Sequence, residues 1–541
     1  MPGMGVVKYP PLFFSDDGVP LSSTGKTSYK SLILKRFGEN DFFFDGQPDK
    51  TEKAVIIDGM QALSIAPVLG MRCFKDYVKF ILDRKFLHYF SESNEIHICF
   101  DNEETWSFSL KIPSEVLHGS KKGVVASMKE EKIEDATRIP CTASQWPSFL
   151  ANQENQRKLI NYIGEKIVEL KGSLDDDQQI VFSGCNPINA TQVNKNQVST
   201  VPELLSNQVE AITRIFAHAK WTSKSVIKLI SPNSSLLAIL LLNFQHLNDR
   251  EILLDASDRS KVIHANKLVE AMENDQDTDL LVLKQRGDLS MANFFGYVYP
   301  LIGSEILCSP RSFGPSQILK ACIDHCRYIF NQQNGIQCLA KQVPDSCDAY
   351  VRFVLALYKK RFANKITLKP EEMFETCVQL EKALETVRKD VWIYTLENNT
   401  IFPSKDCLEL RGKNLAFQLK IWTQVTLPTI EIPDPLTHGW ERHDVGVKLI
   451  PDSKENMQKN DNIFKTIMRK CKCKKTQCKN GRCVCFNGKQ NCSSFCECEN
   501  CCNPFSQEAR KEHRDPSESE SETDDEGSSN ESGSDLERED E

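Results

Sequence analysis

Two short, largely apolar runs, each closed by an acid, set the pattern of the N-terminal half. Ala54-Val55-Ile56-Ile57 runs into Asp58, and Ile96-His97-Ile98-Cys99-Phe100 runs into Asp101. Such runs, bounded by polar residues, predict strands buried on both faces, as in a parallel sheet. Between them, residues 72–93 place Phe74, Tyr77, Val78, Ile81 and Leu82 on one helical face. Strand, helix, strand predicts an α/β fold built on a parallel sheet. Val226–Ile230 and Glu251–Leu254 repeat the strand pattern. Helical periods occupy 155–171, 203–220 and 261–275, and residues 316–396 are mainly helical. Residues 172–200 are polar and without period, which predicts a loop or insertion, and the prolines of 427–435 predict a linker.

These patterns divide the chain into an N-terminal extension (1–50), an α/β domain (51–315), a helical region (316–426), a linker (427–468), a cysteine-rich module (469–505) and an acidic tail (506–541). The longest apolar run, Leu236 to Leu242, is far short of the ~20 residues a membrane span needs, so no membrane partner is expected. The opening Met1-Pro2-Gly3-Met4-Gly5 has no basic patch leading into an apolar stretch, so no signal peptide is expected either. In a reducing compartment, cysteines serve as thiols or metal ligands rather than disulfides.

The 21 cysteines are unevenly spread: eleven are scattered from Cys73 to Cys407, and ten fall between Cys471 and Cys502. Scattered thiols usually act as small buried hydrophobes; the dense group needs another account. Its spacing is Cys471-x-Cys473-x4-Cys478-x4-Cys483-x-Cys485-x6-Cys492-x3-Cys496-x-Cys498-x2-Cys501, with Cys502 directly after. Thiolates select soft or borderline cations, zinc above all. Nine thiolates fill two separate tetrahedral sites with one left over, or hold three zincs if three sulfurs bridge. The tight Cys-x-Cys pairs favour the bridged cluster. Its net charge of −3 calls for nearby cations. Arg469, Lys470, Lys472, Lys474, Lys475, Lys479 and Arg482 supply them, with no acid between residues 466 and 482. The same cations suit phosphate contacts, whereas Glu497 and Glu499 make the later half of the module less suited.

This spacing resembles the CXC domain of the tesmin/TSO1 family at all nine cysteines and at the closing Cys501-Cys502-Asn503-Pro504. The resemblance implies three zincs held by Cys471, Cys473, Cys478, Cys483, Cys485, Cys492, Cys496, Cys498 and Cys501, and DNA read through the minor groove. Many members carry Tyr just before the fourth cysteine. Here that position is Arg482, as in the CXC domain of the male-specific-lethal dosage-compensation ubiquitin ligase. A guanidinium suits a narrow, electronegative A·T-rich groove, with Lys472, Lys474, Lys475 and Lys479 on phosphates. The tesmin group usually carries two copies and this chain has one. The plainer reading is a zinc knot that holds the C-terminus together or binds protein.

The body resembles a PIN-like, flap-endonuclease-like domain found in animal proteins, often associated with mobile elements, that also end in a CXC module. The resemblance rests on Ile57-Asp58-Gly59-Met60, Cys99-Phe100-Asp101, Phe402-Pro403-Ser404-Lys405-Asp406, Gln418-Leu419-Lys420-Ile421-Trp422 and Pro435-Leu436-Thr437-His438-Gly439-Trp440. It implies a two-metal nuclease centre, from which this chain departs. Asp58, Asp101, Glu210 and Glu305 keep carboxylates, while Val209, Ile212, Asn233 and Ser235 stand where the group has acids. Two adjacent dications need several carboxylates, so an inactive, degenerate nuclease is expected; the alternative is a metal-dependent, structure-specific nuclease targeted by the CXC module. Asp275-Gln276-Asp277-Thr278-Asp279 is read as a solvated turn, not as the missing acids.

Composition alters the charge picture last. Residues 515–541 hold thirteen Asp and Glu against one Arg, so the formal net charge of −8 conceals a body of +4. Serines set among acids, as in Ser517-Glu518-Ser519, suit acidophilic kinases. The tail is expected to be disordered and either to bind histones or other basic partners, to compete with DNA for the module, or simply to aid solubility. With the basic run at Arg469–Lys475 it points to a nuclear address.

Overall fold

The computed structural model describes residues 9–15, 18–21, 26–44, 46, 48–65, 68, 70–102, 128–185, 189–255, 262–287, 289–304, 306–330, 335–340, 348–374, 377–397, 402–443, 446–458, 471–473, 477–488, 492, 496, 498 and 501–504. Glu305, Lys474, Lys475 and the tail lie outside them.

An eight-stranded, mostly parallel sheet organises the body. Its strands are β1 (Lys53–Asp58), β2 (Glu95–Cys99), β3 (Gln179–Ser183), β4 (Ala190–Asn194), β5 (Val198–Val201), β6 (Val226–Ile230), β7 (Glu251–Asp255) and β8 (Val262–His264), in the order β5-β4-β3-β2-β1-β6-β7-β8. The strands β3, β2, β1, β6 and β7 run parallel, β4 pairs antiparallel with both β3 and β5, and β8 pairs antiparallel with β7. Every residue of β1, β2 and β6 is buried, as the apolar runs predict for strands covered on both faces. The chain leaves β1 toward β2 and β3 on one side and returns to β6 on the other. The topological switch point therefore lies between β1 and β6, with Asp58 at its carboxyl edge.

Helices cover both faces. On one side Phe74–Ile81 (α1) buries Phe74, Tyr77, Val78 and Ile81, the expected face. The chain then continues through a wide turn at Leu82–Phe86 and a tight one at Leu87–Ser91, so the expected 72–93 helix is three segments of different pitch. Gln153–Val168 (α2) lies beyond it, capped by Asn152 accepting from Asn155 N–H at 3.0 Å. On the other side are Ala211–Trp221 (α3), Leu236–Asn243 (α4) and Met291–Ile302 (α5), joined by Asp348–Arg361 (α6) and Lys405–Trp422 (α7).

Four expectations need correction. The helix expected over 261–275 runs only from Ala265 to Glu273, because Val262–His264 pair with β7 as β8. Residues 172–200 are not a loop: they supply β3 and the antiparallel hairpin β4–β5. In β4 only Ala190 and Val193 are buried, so Thr191, Gln192 and Asn194 obscure the period. The helix expected over 203–220 starts only at Ala211. Residues 427–458 are not a linker: Ile430, Trp440, Val447 and Leu449 are buried in the main core, and β9 (Trp440–His443) pairs with β10 (Gly446–Leu449). Gln208 Nε2 donates to the carbonyls of Val425 and Leu427, and Asn414 Nδ2 to that of His438, fixing this segment in place. The same core takes Leu12, Phe13, Phe14 and Ile33 from the N-terminal extension and Val351, Val354 and Leu384 from the helical region, so Val7–Asn460 is one compact unit. The Asp275 turn is a structural element: Arg36 pairs with Asp275 at 2.7 Å and Asp277 at 3.2 Å, and Asp277 caps the helix Thr278–Gln285. Among the described residues no helix is long and apolar enough to cross a membrane.

Candidate metal centre and carboxylate edge

The cysteine module is a separate unit, Asp461–Glu541 together with Met1–Val6. Its core is sulfur. Cys471, Cys478, Cys483 and Cys485 are buried, and Cys473, Cys492, Cys496, Cys498 and Cys501 pack half-buried against them. The chain bends to achieve this: Gln477 and Cys478 both take left-handed φ (45° and 58°), a conformation side chains rarely adopt. Cys483 precedes Val484–Asn487 (α8), a single turn that directs Cys485 back inward.

Three groups of four thiols each lie within 4.8 Å: Cys471, Cys478, Cys483 and Cys492; Cys471, Cys485, Cys492 and Cys496; Cys478, Cys492, Cys498 and Cys501. The groups overlap. Cys471 and Cys478 each belong to two, and Cys492 to all three. Sulfur pairs sit 3.6 Å (Cys471–Cys478), 3.7 Å (Cys471–Cys492) and 3.6 Å (Cys485–Cys496) apart. A disulfide needs about 2.05 Å, whereas the edge of a zinc–thiolate tetrahedron with ~2.3 Å bonds is about 3.8 Å. The spacing therefore fits metal ligation, not oxidation. Burial, together with neighbouring thiols, pushes Cys471 and Cys492 up to about 12. Burial opposes ionisation of Cys483 too, but the N–H of Phe486, the Cys478 thiol, the N–H of Cys485 and the Cys471 thiol together outweigh it and hold that thiol at about 7. Such a cluster ionises fully only with cations inside it.

Asn503, fully buried, donates from Nδ2 to Cys492 Sγ at 3.3 Å, which gives the closing Asn-Pro pair a role: it orients the most shared sulfur. Cys502 N–H ties the end of the module to Gln477 O at 2.8 Å, and its thiol belongs to none of the three groups. Cys473 packs against the cluster without entering a group. Lys472, Lys479 and Arg482 are exposed.

In the body, Asp58 is 3% exposed at the end of β1. Its Oδ2 accepts from Ser231 Oγ at 2.8 Å and its Oδ1 from Gln61 N–H at 3.1 Å. Burial, with help from Asp101, raises its pKa to about 6 despite these donors. Asp101 follows β2, and its Oδ1 accepts the first N–H of α3, from Ala211, at 2.7 Å. Glu210 is the residue before α3, and its carbonyl receives Thr213 Oγ1 at 2.8 Å. Asn233 Oδ1 accepts from Ser235 N–H at 3.0 Å and Ser235 Oγ at 2.8 Å, and Ser231 Oγ, which donates to Asp58, also accepts from Asn233 N–H at 3.1 Å. Arg214 of α3 adds a buried cation among Cys99, Cys185 and Asp101, its own pKa lowered to about 10 by burial. Gly184, at φ +91°, lets the end of β3 pass so close to Phe100 that an added Cβ would meet its carbonyl oxygen at 2.2 Å.

Sequence reasoning also missed a polar chain beneath this edge. Glu95, His97 and Cys99 alternate with apolar residues on β2 and face α3. Glu95 Oε1 meets His97 Nε2 at 2.8 Å and takes the Thr222 hydroxyl; His97 Nδ1 meets His218 Nδ1 at 3.0 Å; His218 Nε2 meets Ser183 Oγ at 2.9 Å. The period-two polarity of residues 95–99 was its only sequence signal.

No protein-family model matches the chain, and no curated protein matches it.

Proposed function

We propose that this chain is a nuclear DNA-binding protein whose C-terminal module is a trinuclear zinc–thiolate cluster of the tesmin/TSO1 CXC type, carried on a PIN-like body without nuclease activity. One observation carries the reading: three four-thiol groups that share sulfurs. Separate zinc sites share none. Three zincs on nine thiolates need three bridges, and Cys471, Cys478 and Cys492 are the shared sulfurs. With Cys492 bridging only two ions, Cys473 joins Cys471, Cys478 and Cys483 around the remaining one. Zinc supplies the folding energy of such a module. The exposed cations Lys472, Lys479 and Arg482 support phosphate and groove contacts. In the body, the donors already held by Asp58 and Asp101 support a structural role for the remnant acids.

Zinc analysis of the purified chain with duplex-binding titrations tests this reading: about three zincs per chain and salt-dependent binding are expected. One zinc per chain, or zinc-loaded protein that ignores DNA, refutes it and leaves a protein-binding or purely structural knot. The nuclease alternative keeps one observation in its favour, two acids at the ends of the adjacent strands β1 and β2, beside the switch point. Cleavage of flap, single-stranded or duplex DNA with Mg²⁺ or Mn²⁺, abolished by Asp58→Ala, would establish it.

A further inference from the structure

Seven large apolar side chains are conspicuously exposed among the described residues, and one of them, Val484 at 48%, belongs to the cysteine module. Its placement follows from its neighbours. Cys483, with extended backbone (φ −80°, ψ 123°), turns its sulfur into the cluster, and Cys485 does the same one residue beyond Val484. Residues either side of an extended position point the same way, so Arg482 and Val484 both face outward while the two cysteines anchor them. Asn480 braces the turn, its Oδ1 accepting from Arg482 N–H at 3.2 Å and its carbonyl from Cys483 N–H at 2.9 Å. Val484 itself begins α8, and its carbonyl accepts from Gly488 N–H at 3.1 Å. A β-branched side chain on a braced single turn has little rotamer freedom. The result is a rigid ledge pairing one cation with one apolar group, both exposed, as Lys472 and Lys479 also are.

We propose that Val484 is a second specificity-determining residue of the DNA interface, lying beside Arg482 in the minor groove and selecting against G·C pairs. The inference rests on the DNA-binding reading above and goes further than it. In the minor groove A·T pairs offer only acceptors, whereas G·C pairs add the N2 amino donor of guanine. A guanidinium can satisfy acceptors in either case. A valine cannot accept a hydrogen bond, so a guanine amino group beneath it loses water and gains no partner. Over an A·T floor the same methyl groups meet no donor. Arg482 thus favours the narrow groove by charge, and Val484 penalises the amino group within it.

The test uses the full chain loaded with zinc, at one salt concentration, with three duplexes: A·T-rich, G·C-rich, and the G·C-rich sequence with inosine replacing guanine, which removes only the N2 amino group. The native protein should bind the A·T and inosine·C duplexes alike and the G·C duplex about fivefold or more weakly. Val484→Ala should narrow that gap, and Val484→Asn, which supplies an acceptor, should narrow it further to the share that Arg482 contributes, both with zinc content unchanged. If the inosine duplex binds as weakly as the G·C duplex, or if both variants keep the native ratio, Val484 does not read the groove. If the native protein binds none of the duplexes, the DNA reading itself has failed. Native discrimination with unaltered variants leaves that reading standing and removes only the role of Val484.

Discussion

His97 Nδ1 lies 3.0 Å from His218 Nδ1, with both rings sealed from solvent. One of two nitrogens that close must carry the proton and the other accept it. Glu95, held as a carboxylate at about 2 by its donors His97, Thr222 and Gln179 against the opposing effect of burial, fixes the order. His97 Nε2–H donates to Glu95, His218 Nδ1–H donates to His97, and the Ser183 hydroxyl donates to His218 Nε2. Burial, then the neighbouring His97 and Arg214, hold His218 well below the ordinary histidine range.

The fold should therefore be acid-sensitive at α3. The unfolded chain protonates His218 near ~6.5 and the folded chain resists, so the unfolded state binds more protons as pH falls below that value. Stability is complete above about 6.5 and declines below it; a further decline from Glu95 begins below ~4.3 and continues toward 2. Other buried histidines, such as His325 at about 4, add to the trend, so the informative quantity is the difference from His218→Gln. That variant should be less stable at pH 7.5 and should lose less of its melting temperature between pH 7 and pH 5. Parallel pH profiles for the two proteins would contradict the shared-proton arrangement.

Sequence periodicity revealed what the physics of burial controls most tightly. Strands such as β1 and β6 are buried on both faces, so their residues must be apolar almost throughout. It missed β4 and β5, where one face is wet and the strands are spelled in Thr, Gln and Asn. It missed the β9–β10 segment because Pro428, Pro433 and Pro435 look like a break, yet prolines suit a chain laid over a core. Asp58 and Asp101 were legible because an acid after an apolar run marks a strand end. Ser231 was not, because only the turn after β6 decides which polar residue faces Asp58. The thiol cluster was legible from spacing alone, but the sharing of Cys471, Cys478 and Cys492 required coordinates.

Asp58 carries a stability penalty. A carboxyl raised to about 6 binds more protons folded than unfolded between ~3.9 and 6, so it disfavours the fold as pH rises through that window. Asp58→Asn keeps the shape: its oxygen can face Gln61 N–H while its amide donates to Ser231. The variant should gain about 1–3 kcal/mol at pH 7.5 and little at pH 4. A loss of stability at pH 7.5 would show that the carboxylate is compensated by a bound cation, and Mg²⁺- or Mn²⁺-dependent melting of the native protein would then revive the nuclease reading.

Trp440 tests whether the segment after α7 belongs to the body. It is 1% exposed, with its ring 5.0 Å from that of Phe417. Trp440→Ala should destabilise the body by about 3–5 kcal/mol in denaturant titration. A change below ~1 kcal/mol would restore the linker description.

The proposed three-zinc assignment separates Cys473 from Cys502. Cys473→Ser should lower the zinc content below three or loosen one ion toward chelators, because the ion shared with Cys471, Cys478 and Cys483 loses its fourth thiolate. Cys502→Ser should leave three zincs per chain, since its thiol lies outside every four-thiol group. Equal losses in both variants would mean that the ligand set has been misassigned.

On the proposed DNA-binding reading, the charge map of the module separates two kinds of contact. Lys479 is exposed on the loop that leads to Arg482, and a flexible ammonium there would reach phosphate oxygens without regard to sequence. Lys479→Ala should weaken binding to A·T-rich and G·C-rich duplexes alike and reduce the slope of log affinity against log salt by roughly one unit. Arg482 is held between Asn480 and the buried Cys483, which projects its guanidinium from a fixed base. Insertion into a narrow groove gains most where the potential is most negative, over A·T tracts. Arg482→Ala should therefore lose A·T affinity selectively, with a smaller effect on G·C-rich duplexes. Titrating both variants against both duplexes at several salt concentrations separates the roles. If Arg482→Ala weakens both duplexes equally and shifts the slope by one unit, Arg482 is a phosphate contact like Lys479. If neither variant alters binding, DNA does not engage this face, and the module is better described as a zinc knot that binds protein or closes the C-terminus.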